Sequence, residues 1–178
     1  MTTIEFSLEE RSIEEAIDKI RKYRKEFEQK CERVVSELAE VGYQTAYRIL
    51  SDHVFDGTTL GSLRVEQVEG ADNIFVVSAA SEALLILEFG SGLPAARSPH
   101  PDASKHGMGA GTLSEKGQWD NPNGWYYPTD DYRLINKYSA DGAQGYGHSK
   151  GMTPQMPFYH AAREIERQIA EVVGRVFA

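Results

Sequence analysis

The sequence predicts an α+β fold: a long N-terminal helix, a small antiparallel sheet of three to four strands, and a C-terminal helix packed on that sheet. Three observations predict it. Apolar residues recur every three or four positions from Ile13 to Leu50 with no proline between them, the pattern of an amphipathic helix. Two short runs at 63–68 and 74–78, rich in β-branched residues, flank the turn formers Glu69-Gly70-Ala71-Asp72-Asn73, the pattern of a hairpin. After Pro157, the residues Phe158, Ala161, Ala162, Ile165, Ile169, Val172, Val173 and Val176 return to helical spacing. A single domain spanning 1–178 is expected, with a helical segment at 13–51, the hairpin and a glycine element at 62–92, a loop insertion at 93–150 and the closing helix at 157–177.

Taken in order, the chain opens with Thr2-Thr3-Ile4-Glu5-Phe6, an alternating stretch suited to one edge strand. Ser12-Ile13-Glu14-Glu15 has the form of a capping box. A helix from 13 to 51 would reach about 58 Å at 1.5 Å per residue. It either breaks near Gly42, or its first half projects from the core and meets another subunit. The charges Asp18, Lys19, Arg21, Lys22, Arg24, Lys25, Glu26, Glu28 and Lys30 fit a solvated face or the flanks of a coiled-coil-like arm.

Residues 52–61, with Asp56-Gly57-Thr58-Thr59, read as a turn-rich link into the hairpin. The run from Ser81 to Gly90 fits a short helix or a buried strand; Ser81 as cap and Gly90 as stop favour the helix. Glu88 stands among apolar neighbours. Such a carboxylate points to solvent, pairs with an Arg, or accepts backbone N–H groups of the glycine loop that follows.

The insertion holds five prolines, many glycines and both tryptophans. Trp119, Trp125, Tyr126 and Tyr127 are too aromatic for a free linker and suggest a segment that orders against a partner. Residues 125–128 are its one strongly β-prone stretch, a candidate third strand on the hairpin. Residues 133–138 suit a turn of helix, and the glycines of 141–151 suggest flexibility. Then Gly151-Met152-Thr153-Pro154-Gln155-Met156-Pro157-Phe158 ends the loop and opens the last helix, with Pro157 in its first turn.

Composition excludes several classes. The net charge of −8 argues against a general nucleic-acid binder, and the lone Cys31 suits helix packing rather than a disulfide. No apolar run approaches the ~20 residues of a membrane span, and the acidic start is unlike a signal peptide, so assembly in the cytosol is expected. No catalytic residue, metal ligand set or cofactor motif is read. His100, His106 and His148 lack metal-site spacing, and the 107–111 glycine cluster lacks the strand and helix of a dinucleotide site.

The elements Glu88-Phe89-Gly90-Ser91-Gly92, after a hairpin, and Gly151 to Phe158, opening the last helix, occur in an order and spacing that resembles the head–tail connector proteins of tailed bacteriophages, the HK97 gp10-like family. Leu60-Gly61-Ser62-Leu63-Arg64 resembles that family's entry into the hairpin. The resemblance covers about Ser12 to Phe177, and departs at Thr153-Pro154 and in the long insertion. It implies a non-enzymatic virion protein of the phage neck, assembled in the bacterial host cytoplasm. It implies as partners other copies of the chain in a closed ring, expected as a hexamer, together with neck and tail-tube proteins, and DNA only as passing cargo. Interface candidates are then Glu88, Phe89, Gly90, Gly92, Trp119, Trp125, Tyr126, Tyr127, Gly151, Met152, Pro157 and Phe158. A tail terminator capping the tube is the near alternative. A metal-dependent hydrolase with the insertion as its lid is the distant one, and it would bring His100, His106 and His148 together.

Overall fold

The computed structural model describes residues 10–53, 57–71, 73–81, 83–108 and 123–178. The fold is mixed α+β, as the patterning predicts. Helix α1 (Glu10–His53) is followed by the short α2 (Gly57–Ser62), strands β1 (Arg64–Gln67) and β2 (Phe75–Ser78), and helices α3 (Leu84–Phe89) and α4 (Gly92–Arg97). A single 3-10 turn (Ala103–His106) precedes β3 (Trp125–Pro128), β4 (Lys137–Tyr138), β5 (Gly145–Ser149), β6 (Gly151–Met152) and the closing helix α5 (Pro157–Phe177).

The two long helices make the body. They run antiparallel: Ala46 and Ala161 share one buried cluster, Gly42 faces Ile165, Val34 packs with Val172, and Phe27 meets Phe177 with ring centroids 5.6 Å apart. The first cluster joins Ala46, Leu50, Leu63, Leu87 and Ala161, with Val77 and Phe158 against it. The second holds Val34, Val172 and Val176 beside Leu38. Leu50 and Val172 are among the most deeply buried side chains, each contributing about 1.5–3 kcal/mol by leaving water.

Helix α1 does not break at Gly42. It is one unbroken helix of 44 residues, and Gly42 serves close approach: a Cβ there would lie 2.8 Å from Ile165 Cδ1 and 3.5 Å from Val77 Cγ2. Gly42→Leu is expected to cost about 2–3 kcal/mol through overpacking, read as a lower urea midpoint. An unchanged midpoint would mean that α5 does not approach α1 there. Helix α1 is already helical at Glu10, so Ser12 lies inside the helix and is not its cap.

The expected single sheet is two. Strands β1 and β2 form an antiparallel hairpin with Val65 opposite Val77, and it packs on α1. Strands β3, β5 and β4 form a separate three-stranded sheet in that order. Residues 125–128 therefore pair with β5, not with the hairpin. The reason is local: Trp125, Tyr126 and Tyr127 find their register partners in Ser149, His148 and Gly147. The main packing partner of α5 is likewise α1 rather than a sheet.

Three further expectations change. The link at 52–61 contains helix α2, whose Thr59 is fully buried and donates its hydroxyl to Ser81 Oγ at 2.6 Å. Residues 133–138 form a turn running into β4, where Asn136 N–H donates to the Tyr146 carbonyl at 2.8 Å. Of the glycines of 141–151, Gly145 and Gly147 lie in strand β5. A Cβ on Gly147 would sit 2.5 Å from Tyr127 Cζ, and one on Gly145 2.5 Å from Ile135 Cδ1, so each makes room for a side chain laid across the strand. The stretch Thr2–Phe6 lies outside the described residues.

Candidate functional site: a carboxylate latch between the two motifs

Helix α3 ends where α5 begins, and the two motifs meet there. Leu87, with Leu84 against the same cluster, buries one side of α3, and Gly90, at φ 72°, ends it with its N–H on the Ile86 carbonyl at 2.8 Å. That turn leaves the Leu87 carbonyl without an intrahelical partner. It accepts instead from Gln155 N–H at 2.8 Å and Met156 N–H at 3.2 Å, at the entry to α5.

The start of α5 needs such help. The first four N–H groups of a helix have no partner within it. Met156 precedes the helix at φ 56°, the one non-glycine residue with positive φ among the described residues, and its side chain makes no capping bond. Pro157 has no N–H to satisfy. Phe158 N–H donates to Glu88 Oε2 and Tyr159 N–H to Glu88 Oε1, both at 2.9 Å. Every orphan donor of the first turn is thus accounted for by two residues of α3, Leu87 and Glu88. The Glu88 carboxylate, in a residue only 8% exposed, is the cap of a helix some seventy positions downstream. Its negative charge also faces the positive end of the α5 dipole.

His100 completes the carboxylate's shell. Its Nδ1 accepts Asp102 N–H at 3.0 Å, so Nε2 carries the ring proton and donates it to Glu88 Oε1 at 3.2 Å. The imidazole is buried, with Phe89 at a centroid distance of 4.7 Å and Tyr159 edge-on at 5.1 Å. Asp102 is held below the usual carboxylate range, chiefly by the hydrogen bond from Lys105 Nζ at 2.6 Å.

Backbone pairing closes the latch. Ser91 and Met152, and Gly92 and Gly151, form antiparallel bridges, and Met152 N–H donates to Ser91 Oγ at 3.3 Å. The glycines are required by contact. A Cβ on Gly90 would meet Pro154 Cδ at 2.6 Å, and one on Gly151 the Ser91 carbonyl oxygen at 2.1 Å.

Of the residues singled out from sequence, Glu88, Phe89, Gly90, Gly92, Gly151, Met152, Pro157 and Phe158 come together in this unit. Glu88, Gly90, Gly92 and Pro157 are buried in it, so they shape the subunit and present no open surface of their own. Glu88 takes its N–H donors from α5, not from the glycine loop behind it. Trp125, Tyr126 and Tyr127 lie apart on β3. There half-exposed Tyr126 meets His148 in a tilted ring contact at 4.7 Å under Lys137 Nζ, 3.4 Å from its ring centroid. Trp119 lies outside the described residues.

His100 is the functional residue that spacing did not single out, although the proline-flanked Pro99-His100-Pro101 was its one local signal. His106 joins it only through Phe89, and His148 Nε2 engages the Asn123 carbonyl on the separate sheet. Among the described residues, no three His, Cys, Asp or Glu side chains converge to hold a metal ion. An open groove of about 490 Å³ between the end of α1 and the start of α5 includes Arg48, Arg163 and Arg167. Two of its cations are already matched, Arg163 by Glu166 and Arg167 by Glu164. No helix among the described residues is long and apolar enough to cross a membrane. The chain matches no family model, no curated protein and no solved structure.

Proposed function

We propose that this chain is a structural subunit of the neck of a tailed bacteriophage or prophage, a head–tail connector that works as a closed homo-oligomeric ring. The reading starts from the resemblance carried by 88–92 and 151–158. The observation that supports it most is that these stretches, far apart in the chain, interlock through Glu88 into one rigid unit. Motifs that serve a common architecture are expected to meet in space.

In this reading the latch fixes α3, α4 and α5 relative to one another, and the ring contacts hang on that frame. Closing a ring requires a head-to-tail contact between different faces of neighbouring copies. The exposed tyrosines of the three-stranded sheet, Tyr126 on one face and Tyr138 on the other, are available for a neighbour or for a neck or tail-tube protein. A net charge of −8 suits a conduit whose wall must not retain the DNA passing through it. The role involves no chemical reaction.

Light scattering coupled to size exclusion, across a concentration series, tests the proposal. A species of about six subunits is expected, alone or after mixing with phage tail-tube and portal-side proteins. A chain that stays monomeric and binds neither contradicts it.

A further inference from the structure

We propose that His100 is a proton-operated catch: its neutral ring holds the Asp102 turn onto the latch, and a second proton, on Nδ1, reverses the hydrogen bond between the two residues and frees the turn. The catch belongs to the folded subunit, so it operates whether or not a ring forms.

The polar atoms of the Glu88–His100 pair are already engaged. The carboxylate accepts three N–H groups, from Phe158, Tyr159 and the imidazole Nε2. Nδ1 accepts a fourth, from Asp102 at 3.0 Å. The His100 side chain is only 3% exposed, so the protein itself must supply any partner that the ring needs. A proton added to the carboxylate would spoil an acceptor shared by three donors; one added to Nδ1 displaces a single donor. Nδ1 therefore takes it. The ring is then a donor at both nitrogens and points an N–H at the N–H of Asp102. Two donors do not share a hydrogen bond, so the backbone at 102 must withdraw.

An acceptor for the new donor stands on the same residue. The Asp102 carboxyl is held below the usual carboxylate range, chiefly by the hydrogen bond from Lys105 and further by the charges of Arg163 and His100. It is therefore ionised when the ring charges. Lys105 is 73% exposed, and an ion pair so open to water is readily exchanged. Turning the Asp102 carboxylate onto Nδ1–H gives up the Lys105 ammonium for the imidazolium and returns Lys105 to solvent.

The charged and titratable neighbours come from three elements. Helix α3 presents Glu88. Helix α5 presents Tyr159, with His160 and Arg163 against its ring. The loop presents Asp102, Lys105 and, across Phe89, His106. Glu88 and Asp102 balance the second charge on the ring, and Glu88, still ionised, keeps Phe158 and Tyr159 capped. The 3-10 turn at 103–106 hangs on the moving residue, since Lys105 N–H donates to the Asp102 carbonyl at 3.0 Å. The catch is thus closed at high pH and opens as the pH falls through the second protonation of the ring.

Nuclear magnetic resonance of the full chain tests this order of events. Imidazole nitrogen shifts follow the His100 ring, and amide exchange protection follows Asp102, Phe158 and Tyr159, from about pH 8 to about pH 5, where imidazoles titrate. Asp102 protection is expected to fall at least about tenfold, with the midpoint of the His100 ring, while Phe158 and Tyr159 hold theirs. In His100→Asn the side-chain oxygen can accept the N–H two residues on and takes up no proton, so Asp102 protection stays constant with pH. In Asp102→Asn the ring titrates at lower pH, because the carboxylate that receives Nδ1–H is gone. A His100 ring that gains no proton, an Asp102 amide that does not follow it, or Phe158 and Tyr159 opening together with Asp102 overturns the catch. The unsubstituted chain alone decides among these outcomes, so the test does not depend on either variant folding.

Discussion

Replacing Glu88 by Ala is expected to lower the unfolding free energy by about 3–5 kcal/mol. The change removes the acceptor of two first-turn N–H groups, and each donor left buried and unpaired costs about 1–3 kcal/mol. It also strips His100 Nε2 of its partner and takes a negative charge from the start of α5. Glu88→Gln keeps one carbonyl oxygen but turns an amide NH₂ toward a donor, so a loss of about 1–2 kcal/mol is expected. Glu66→Ala is the control: that side chain is exposed on β1, paired only with Arg64, and its removal should stay within about 0.5 kcal/mol. Urea midpoints at constant m-value rank the three. If Glu88→Ala behaves like Glu66→Ala, the carboxylate does not cap α5.

Gly151→Ala is expected to cost about 4 kcal/mol or to prevent folding, and Gly70→Ala only about 1–2 kcal/mol. Both glycines have positive φ, 94° and 78°, so both substitutions carry the left-handed strain of an L residue. Only at Gly151 does the new Cβ also meet backbone, 2.1 Å from the Ser91 oxygen and 2.9 Å from Gly92 Cα. Around Gly70 the space is open. The difference between the two variants, by thermal or urea unfolding, therefore isolates the close approach of 91–92 to 151–152. Equal losses would mean that the two segments do not touch.

Much of this architecture is legible in the sequence because it is written in periodicity. The two long helices follow from unbroken three-or-four spacing, and the hairpin from two β-branched runs around Gly70. Pro157 marks the first residue of α5 because proline is tolerated there and nowhere further in. Pairing between distant strands is written more faintly. Nothing local indicates that Tyr127 should lie over Gly147 rather than extend the hairpin, since an aromatic laid on a glycine is a property of two strands at once. The glycines of 145–149 consequently read as flexibility when they are space for side chains. Glu88 shows the same limit from the other side. Its isolation among apolar residues marks it as unusual, but its partners are backbone groups seventy positions away, and backbone donors leave no trace in the residue types that carry them. His100 is hidden for a related reason: what recruits it is the acceptor at Glu88 together with the N–H of Asp102, not a spacing of ligands.

Amide hydrogen exchange at Phe158 and Tyr159 tests the latch most directly. The second and third N–H groups of a helix are ordinarily free of internal bonds and exchange nearly as fast as an unfolded chain. Here both are held by Glu88 at 2.9 Å. Protection comparable to that of His160, whose N–H bonds within the helix to the Met156 carbonyl, is the expected result, with loss of that protection at both positions in Glu88→Ala and at only one of them in Glu88→Gln. Rapid exchange of Phe158 and Tyr159 in the unsubstituted protein would contradict it.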